Sequence, residues 1–111
     1  MTLTVREYVT ADGRAPFRDW LDTLTVVVRA RIQARLLRFE MGNLGDCKSV
    51  GHGVWEARVM TGPGYRVYFG RDGESIILLL TGGDKGSQRR DIVRATRMWD
   101  DYQEAKRHGK A

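Results

Sequence analysis

The segment from residue 55 to residue 91 most constrains the fold, because three strand-like stretches lie close together between strong turn signals. Turns are predicted at Gly62–Gly64 and at Asp72–Gly73, and the second is a two-residue hairpin signal. The third stretch, Ser-Ile-Ile-Leu-Leu-Leu-Thr, is apolar on both faces, so we expect it at the centre of a sheet. The three strands are predicted at about 54–60, 65–71 and 75–81.

One further strand and three helices are predicted around this segment. A strand is expected over residues 3–9, a helix from Pro16, and a second helix from Thr25 to about Glu40. A loop over 43–53, a break at Gly82–Asp84 and a last helix from about 87 to 106 complete the pattern. The predicted order is β-α-α-β-β-β-α, a single α+β domain over 1–111 with an antiparallel-rich sheet, helices on one sheet face and a frayed basic tail from about 107.

Composition excludes several classes of protein. The chain has 111 residues, which suits one domain. Cys47 is the only cysteine, so disulfide and CxxC metal frameworks within the chain are excluded, and no His/Asp/Glu spacing indicates a metal site. No apolar run approaches the roughly 18 residues that span a membrane, and no signal-peptide stretch is evident. We therefore expect a cytoplasmic protein without metal or cofactor.

The charge balance is compatible with an anionic partner. The net charge is +5, and 15 of the 19 basic residues are arginine. Arginine presents a planar fork of donors that matches paired phosphate oxygens. Either a solubilising surface or a nucleic-acid partner would explain this composition. The positions of the arginines in the fold distinguish the two interpretations.

The expected register of the first hairpin brings two arginines together. Facing the apolar residues of both strands toward the core requires Val59 opposite Tyr65 and Ala57 opposite Val67. The other sheet face then sets Arg58 opposite Arg66 and Glu56 opposite Tyr68. Like charges opposite each other are destabilising unless an acid or an anion lies between them. Two interpretations stay open, a surface Arg-Glu-Arg network and a phosphate-binding site.

RNA cleavage at such a site would need a proton carrier, because arginine holds its proton too tightly. Lys85 follows the central strand at the same edge and is the first candidate, since clustered cations favour a neutral amine. Glu56 is the second candidate. Weaker candidates are Tyr68, Asp84, Asp91, His52 and His108, and both histidines are expected to be ordinary surface residues.

Further residues are assigned by type and position. Tyr68 could stack on a base or could be a half-exposed sheet aromatic. Arg89, Arg90 and Arg94, near the start of the last helix, are candidate RNA-binding residues. The stripe Arg31-Arg35-Arg38 on the second helix is expected to be a solvated face, or else a surface for an acidic partner.

Four motifs in fixed order carry a family resemblance: P-F-R-D-W-L-D-T-L, G-x-G-V-W-E-A-R-V, G-P-G-Y-R-V-Y-F and L-L-L-T-G-G-D-K-G-S-Q-R-R-D-I. Together they resemble the RelE/ParE toxin superfamily, and in particular its addiction module killer protein branch, which is related to HigB toxins. The similarity covers about residues 3 to 104.

The resemblance implies a RelE-like toxin of a type II toxin-antitoxin system, a metal-independent mRNA endonuclease at the ribosome with a small helix-turn-helix antitoxin. It implies that Arg66 is the sheet arginine of the active site, with Arg58 and Lys85 as basic residues near it. Many relatives carry a catalytic Tyr or His near the C-terminus, but neither Tyr102 nor His108 matches that position. The proton carriers therefore stay open.

Two other functions remain as alternatives. The chain could be a non-enzymatic poison of DNA gyrase, as ParE-type relatives are. It could also be an RNA-binding toxin homologue without cleavage activity, for which salt-sensitive binding without product is expected.

Overall fold

The structure is a computed structural model that describes residues 2–109, and its fold is α+β. The elements follow the order strand, two helices, four strands and a long final helix. They are β1 (Thr4–Glu7), α1 (Pro16–Asp22), α2 (Val26–Glu40), β2 (Cys47–Gly51), β3 (Val54–Val59), β4 (Tyr65–Asp72), β5 (Ile76–Asp84), a 3₁₀ turn (Lys85–Ser87) and α3 (Gln88–Arg107).

The five strands form one mixed sheet in the order β1-β5-β4-β3-β2. β1 pairs with β5 in parallel, and the other three pairs are antiparallel. The hairpin signals predict two of these antiparallel pairs, β3-β4 and β4-β5. β5 has a neighbouring strand on each side, which agrees with its apolar sequence on both faces.

The prediction that the helices pack on one sheet face is wrong. Ile77 and Leu79 of β5 belong to the cluster that α1 and α2 cover with Phe17, Leu21, Ile32 and Phe39. Leu78 and Leu80 belong to a second cluster, which α3 covers with Ala95 and Trp99. A strand with apolar side chains on both faces needs cover on both, so the helices divide between the two faces.

β5 continues through the predicted break at Gly82–Asp84. Arg66 of β4 pairs with Gly83 and Tyr65 pairs with Asp84. A side chain at Gly82 would occupy the space of the Trp20 ring, and a side chain at Gly83 would collide with the Asp91 carboxylate. The glycines therefore serve close packing of the helices on β5 rather than a turn.

The predicted loop over 43–53 contains β2, which pairs with the outer edge of β3. Cys47 lies opposite Ala57, and the register shifts between Ser49 and Gly51. β2 is short and irregular, and its side chains show little alternation between apolar and polar. The strand is recognised by its backbone pairing with β3, which the side-chain pattern does not indicate. The last helix begins and ends within a residue of its predicted limits, while positions 110–111 of the predicted tail lie outside the described residues.

Candidate nucleic-acid interface

The predicted register of the β3-β4 hairpin is confirmed. Val59 lies opposite Tyr65 and Ala57 opposite Val67, and both valines and Ala57 are buried in the core under α1 and α2. The same register sets Arg58 directly opposite Arg66 on the other sheet face. Two arginines from adjoining strands thus leave the sheet side by side.

Arg58, Arg66 and Lys85 line one open cavity of about 370 Å³. The turn after β3 forms its wall, with Met60–Gly64 and Tyr65 completing the lining. The Lys85 backbone N–H donates to the Gly64 carbonyl oxygen at 3.1 Å, which ties this turn to the start of the 3₁₀ turn. The structure therefore brings together the three cationic residues that the sequence singles out.

The Arg66 guanidinium forms an ion pair with the buried carboxylate of Glu56. Its Nε donates to Glu56 Oε1 at 3.1 Å, and its side chain is 11% exposed. The Glu56 side chain is 0% exposed, and its Oε2 accepts a hydrogen bond from Gln88 Nε2 at 2.9 Å. A charge-assisted pair fixed on both sides holds the guanidinium in one orientation.

The prediction that Glu56 is a catalytic acid or base is wrong for this geometry. A carboxylate without solvent exposure, with both oxygens engaged, has no path to a substrate proton. Its burial follows from α3, whose first residue Gln88 lies over this face of the sheet, and the sequence pattern did not predict that cover. Glu56 instead positions Arg66.

Arg58 has a different carboxylate partner. Its Nε lies 3.1 Å from Asp46 Oδ2, and its second nitrogen, Nη2, lies 3.3 Å from Asp46 Oδ1. This pair is largely exposed, unlike the Arg66–Glu56 pair. The predicted Arg-Glu-Arg network is thus two separate pairs, one buried and one on the surface, and Asp46 is a site residue that the sequence did not indicate.

Arg35 supports this part of the site from beneath. It is buried, and its guanidinium donates to the backbone carbonyls of Leu44 (3.1 and 3.0 Å), Asp46 (2.9 Å) and Arg58 (2.6 Å). The prediction that Arg35 belongs to a solvated stripe is therefore wrong. A signal was available, because Arg35 shares the apolar face of α2 with Ile32 and Phe39 at helical spacing.

Tyr68 does not meet a nucleic-acid base, so that prediction is wrong. Its side chain is fully buried under α3, and its hydroxyl has no hydrogen-bond partner among the residues the structure describes. Burial, followed by the nearby charges of Glu56 and Asp91, raises the pKa of Tyr68 above its ordinary value. The phenol therefore stays neutral at physiological pH.

The weaker proton-carrier candidates lie outside the cavity lining. Asp91 is buried and accepts a hydrogen bond from the Ser87 hydroxyl, and Asp84 accepts from the Gly86 N–H at 2.8 Å. His52 lies in the turn between β2 and β3, and His108 pairs with Glu104 at the far end of α3. Besides the arginines, the lining side chains with exchangeable protons are those of Lys85, Tyr65 and Thr61.

Two of the three arginines predicted on α3 extend the cationic surface. Arg89 and Arg90 are exposed and line a second shallow cavity of about 380 Å³, which shares Lys85 with the first. Arg94 lines a different groove, beside Trp20 of α1, and its Nη1 lies 3.8 Å from Asp91 Oδ1. Arg94 lies one turn further along α3 than Arg90 and lines neither cationic cavity, so its contact with RNA stays a prediction.

The charges of this surface favour an anion. Asp46 and Glu56 pair with Arg58 and Arg66, whereas the ion pairs found within residues 2–109 include none from Lys85, Arg89 or Arg90. A larger cavity, about 710 Å³, lies between β1 and α3, and its charged lining is mostly acidic (Glu7, Asp101 and Glu104 against Arg6 and His108). The smaller cationic cavity is the better candidate for a phosphate group.

The described part of the chain has neither a cluster of metal-ligating side chains nor a membrane-spanning helix. Across residues 2–109 the structure has no group of three His, Cys, Asp or Glu side chains placed to hold a metal ion. In the same range, no helix combines the length and the apolar character needed to cross a membrane.

Comparison with known proteins gives one relationship at the level of sequence. No protein-family model matches the chain. An "Uncharacterized protein" of Haemophilus influenzae is 40% identical to it over 96 residues, which cover 86% of this chain and 91% of the relative. Identity at this level over nearly the full length of both chains shows common descent, so the chain belongs to the same family as this Haemophilus influenzae protein.

Proposed function

We propose that this protein is the toxin of a type II toxin-antitoxin module, a RelE-like endonuclease of the RelE/ParE superfamily that cuts messenger RNA on the ribosome and so inhibits translation. The observation that carries the proposal is the cavity lined by Arg58, Arg66 and Lys85. The motif resemblance supports the choice of RNA as substrate, and the α+β fold with its antiparallel β2-β3-β4-β5 strands is compatible with a RelE-like topology.

In the proposed reaction, Arg66 and Arg58 bind the non-bridging oxygens of one RNA phosphate. The 2′-hydroxyl of the preceding ribose loses its proton to a base that the ribosome supplies or positions, and its oxygen attacks phosphorus. The bond to the 5′-oxygen breaks, and a 2′,3′-cyclic phosphate forms. Negative charge accumulates on the phosphorane oxygens, where two fixed guanidinium groups stabilise it most. The Lys85 ammonium lies in the same cavity and donates a proton to the leaving 5′-oxygen.

Binding requires a change of partner at Arg58. Its exposed pair with Asp46 costs little to break, because surface ion pairs contribute only about 0–1 kcal/mol. Arg66 needs no such change, since Glu56 holds it from the buried side and leaves its outer edge toward the cavity. We therefore assign Arg66 the larger share of phosphorane stabilisation.

A second candidate function has a specific observation in its favour. The cavity lining contains neither a carboxylate nor an imidazole to accept the 2′-hydroxyl proton. The same cationic surface would suit an RNA-binding toxin homologue that does not cleave. For the endonuclease, by contrast, the ribosome has to supply or position the base that accepts the 2′-hydroxyl proton.

The test is mRNA cleavage during translation in a cell-free extract, with RNA 5′ ends mapped after adding the purified protein. We expect new ends with wild type, a loss of at least 100-fold with Arg66→Ala or Lys85→Ala, and wild-type cleavage with Arg71→Ala, an exposed arginine of β4 outside the cavity. Binding of RNA without new ends would favour the second candidate. Full cleavage by both cavity variants would remove this site from the proposal.

A gyrase supercoiling assay discriminates the ParE-like alternative. The endonuclease proposal expects unchanged supercoiling at protein concentrations that arrest translation. Inhibition of gyrase that survives Arg66→Ala would instead support a non-enzymatic poison.

A further inference from the structure

The solvent side of α2 carries a second apolar stripe. Val27, Leu37 and Met41 are 65%, 61% and 73% exposed. Two exposed alanines, Ala30 and Ala34, lie between Val27 and Leu37 on the same side of the helix. The spacing alternates three and four residues, which is the spacing of a coiled-coil seam. The stripe consists of Val27, Ala30, Ala34 and Leu37 of α2 and of Met41, the residue that caps the C-terminus of the helix.

This stripe is separate from the face that α2 buries in the core. The buried face is centred on Ile32, Arg35 and Phe39. At 100° per residue, the centre of the exposed stripe lies roughly 160° around the helix from that face. A surface helix normally carries polar residues opposite its core face, so an apolar seam about 21 Å long in that position indicates a second contact.

Arginines line one side of the seam. Arg31 and Arg38 are exposed, lie one heptad apart, and flank the stripe where coiled coils place their charged residues. The ion pairs within the described residues 2–109 include neither of them. Apart from the buried Arg35, α2 carries three arginines and one glutamate, so its outer surface is basic as well as apolar.

We propose that the outer face of α2 binds an acidic amphipathic helix of a partner protein. The partner helix would place its apolar residues in the seam and carboxylates beside Arg31 and Arg38. A second copy of this chain fits less well, because pairing two α2 helices antiparallel across a two-fold axis sets these arginines against their own copies. The proposal does not rest on the proposed function, since the seam is not part of the cationic cavity.

The test uses two fluorescein-labelled peptides of three heptads, both with Leu at positions a and d. One carries Glu at e and g, and its twin carries Lys there. Fluorescence anisotropy with the full-length protein should show at least tenfold tighter binding of the Glu peptide. Leu37→Asp should abolish this binding, and Arg31→Glu/Arg38→Glu should reverse the preference in favour of the Lys peptide.

A matched control separates the seam from overall charge. Arg71→Glu/Arg97→Glu makes the same change in net charge at exposed positions outside α2, and it should retain the preference for the Glu peptide. The proposal is overturned if neither peptide binds, or if the two double variants behave alike. A wild-type dimer that Leu37→Asp converts to a monomer would also overturn it, because a second copy would then occupy the seam.

Discussion

Glu56 Oε1 accepts a hydrogen bond from Arg66 Nε at 3.1 Å, from a position with no solvent exposure. A buried carboxylate in this place gives the neighbouring guanidinium a fixed direction and leaves its far edge for a ligand. The opposite arginine, Arg58, lacks such a support and pairs with the exposed Asp46. The two arginines of the hairpin are thus unequal, although the register makes them direct neighbours.

Glu56→Gln should weaken RNA binding and cleavage about tenfold, equivalent to about 1.4 kcal/mol. The amide keeps the size of the side chain but loses the charge that orients Arg66. The measurement is binding of a 2′-O-methyl RNA, which cannot be cleaved, together with the cleavage rate on unmodified RNA. In the Glu56→Gln/Arg66→Ala double variant the two losses should not add, because Glu56 acts through Arg66. Additive losses would show that Glu56 acts independently.

Asp46→Asn should tighten RNA binding by about threefold to tenfold, since the exposed Asp46–Arg58 pair competes with phosphate for the same guanidinium. The salt dependence of binding should become slightly steeper, because one more cation is free to release counterions. Anisotropy titrations at several salt concentrations measure both effects. Unchanged affinity in Asp46→Asn would mean that Arg58 does not contact the phosphate.

Tyr68→Phe should leave RNA binding unchanged and should raise the free energy of unfolding slightly, by up to about 1 kcal/mol. The variant removes a buried hydroxyl that has no partner among the described residues, and an unpaired buried polar group is a cost to the folded state. Urea unfolding and the RNA titration together test this. A marked loss of binding would restore Tyr68 as a contact residue.

Arg35→Ala should lower the free energy of unfolding by about 2–4 kcal/mol, because it removes four hydrogen bonds to the backbone carbonyls of Leu44, Asp46 and Arg58. Lysine cannot reproduce the planar fork, so Arg35→Lys should recover little of the loss. Arg31→Ala, at an exposed position of the same helix, should change stability by less than about 0.5 kcal/mol. Equal stability of the Arg35 and Arg31 variants in urea would contradict the assigned role.

Stability should fall in acid partly through Asp72. A hydrogen bond from Lys106, and then one from Tyr102, hold the pKa of Asp72 below its ordinary value of 3.8. The unfolded chain takes up a proton first as pH falls, so this stabilisation is complete above about pH 4 and is lost as pH drops through the lower folded pKa. Urea unfolding between pH 2 and 6 should show a shallower acid decline in Asp72→Asn than in wild type. The same slope in both proteins would exclude this contribution.

The sequence predicted the hairpin register because side-chain alternation has a period of two and only one register buries Ala57, Val59 and Val67 together. From that register the meeting of Arg58 and Arg66 follows directly. Lys85 joined them because it comes immediately after β5, which pairs with β4 up to Asp84. The cationic core of the site was therefore available from local pattern.

The carboxylates were less predictable, since their roles depend on tertiary placement. Glu56 was expected near the surface, because nothing in β3 indicates that Gln88 of α3 covers it. Asp46 precedes an edge strand with little apolar alternation, so neither the strand nor its carboxylate was foreseen. These features depend on how α3 and the segment around β2 pack against the hairpin, which no local pattern specifies.

The most direct measurement of the central proposal is an NMR titration that follows the Arg58 and Arg66 Nε–Hε signals and the Lys85 side chain during addition of a 2′-O-methyl RNA trinucleotide. If the three cations converge on one phosphate, their signals should shift together with a single dissociation constant, while Arg71 stays unchanged. Shifts confined to other arginines, or different dissociation constants for the three residues, would contradict a shared phosphate site.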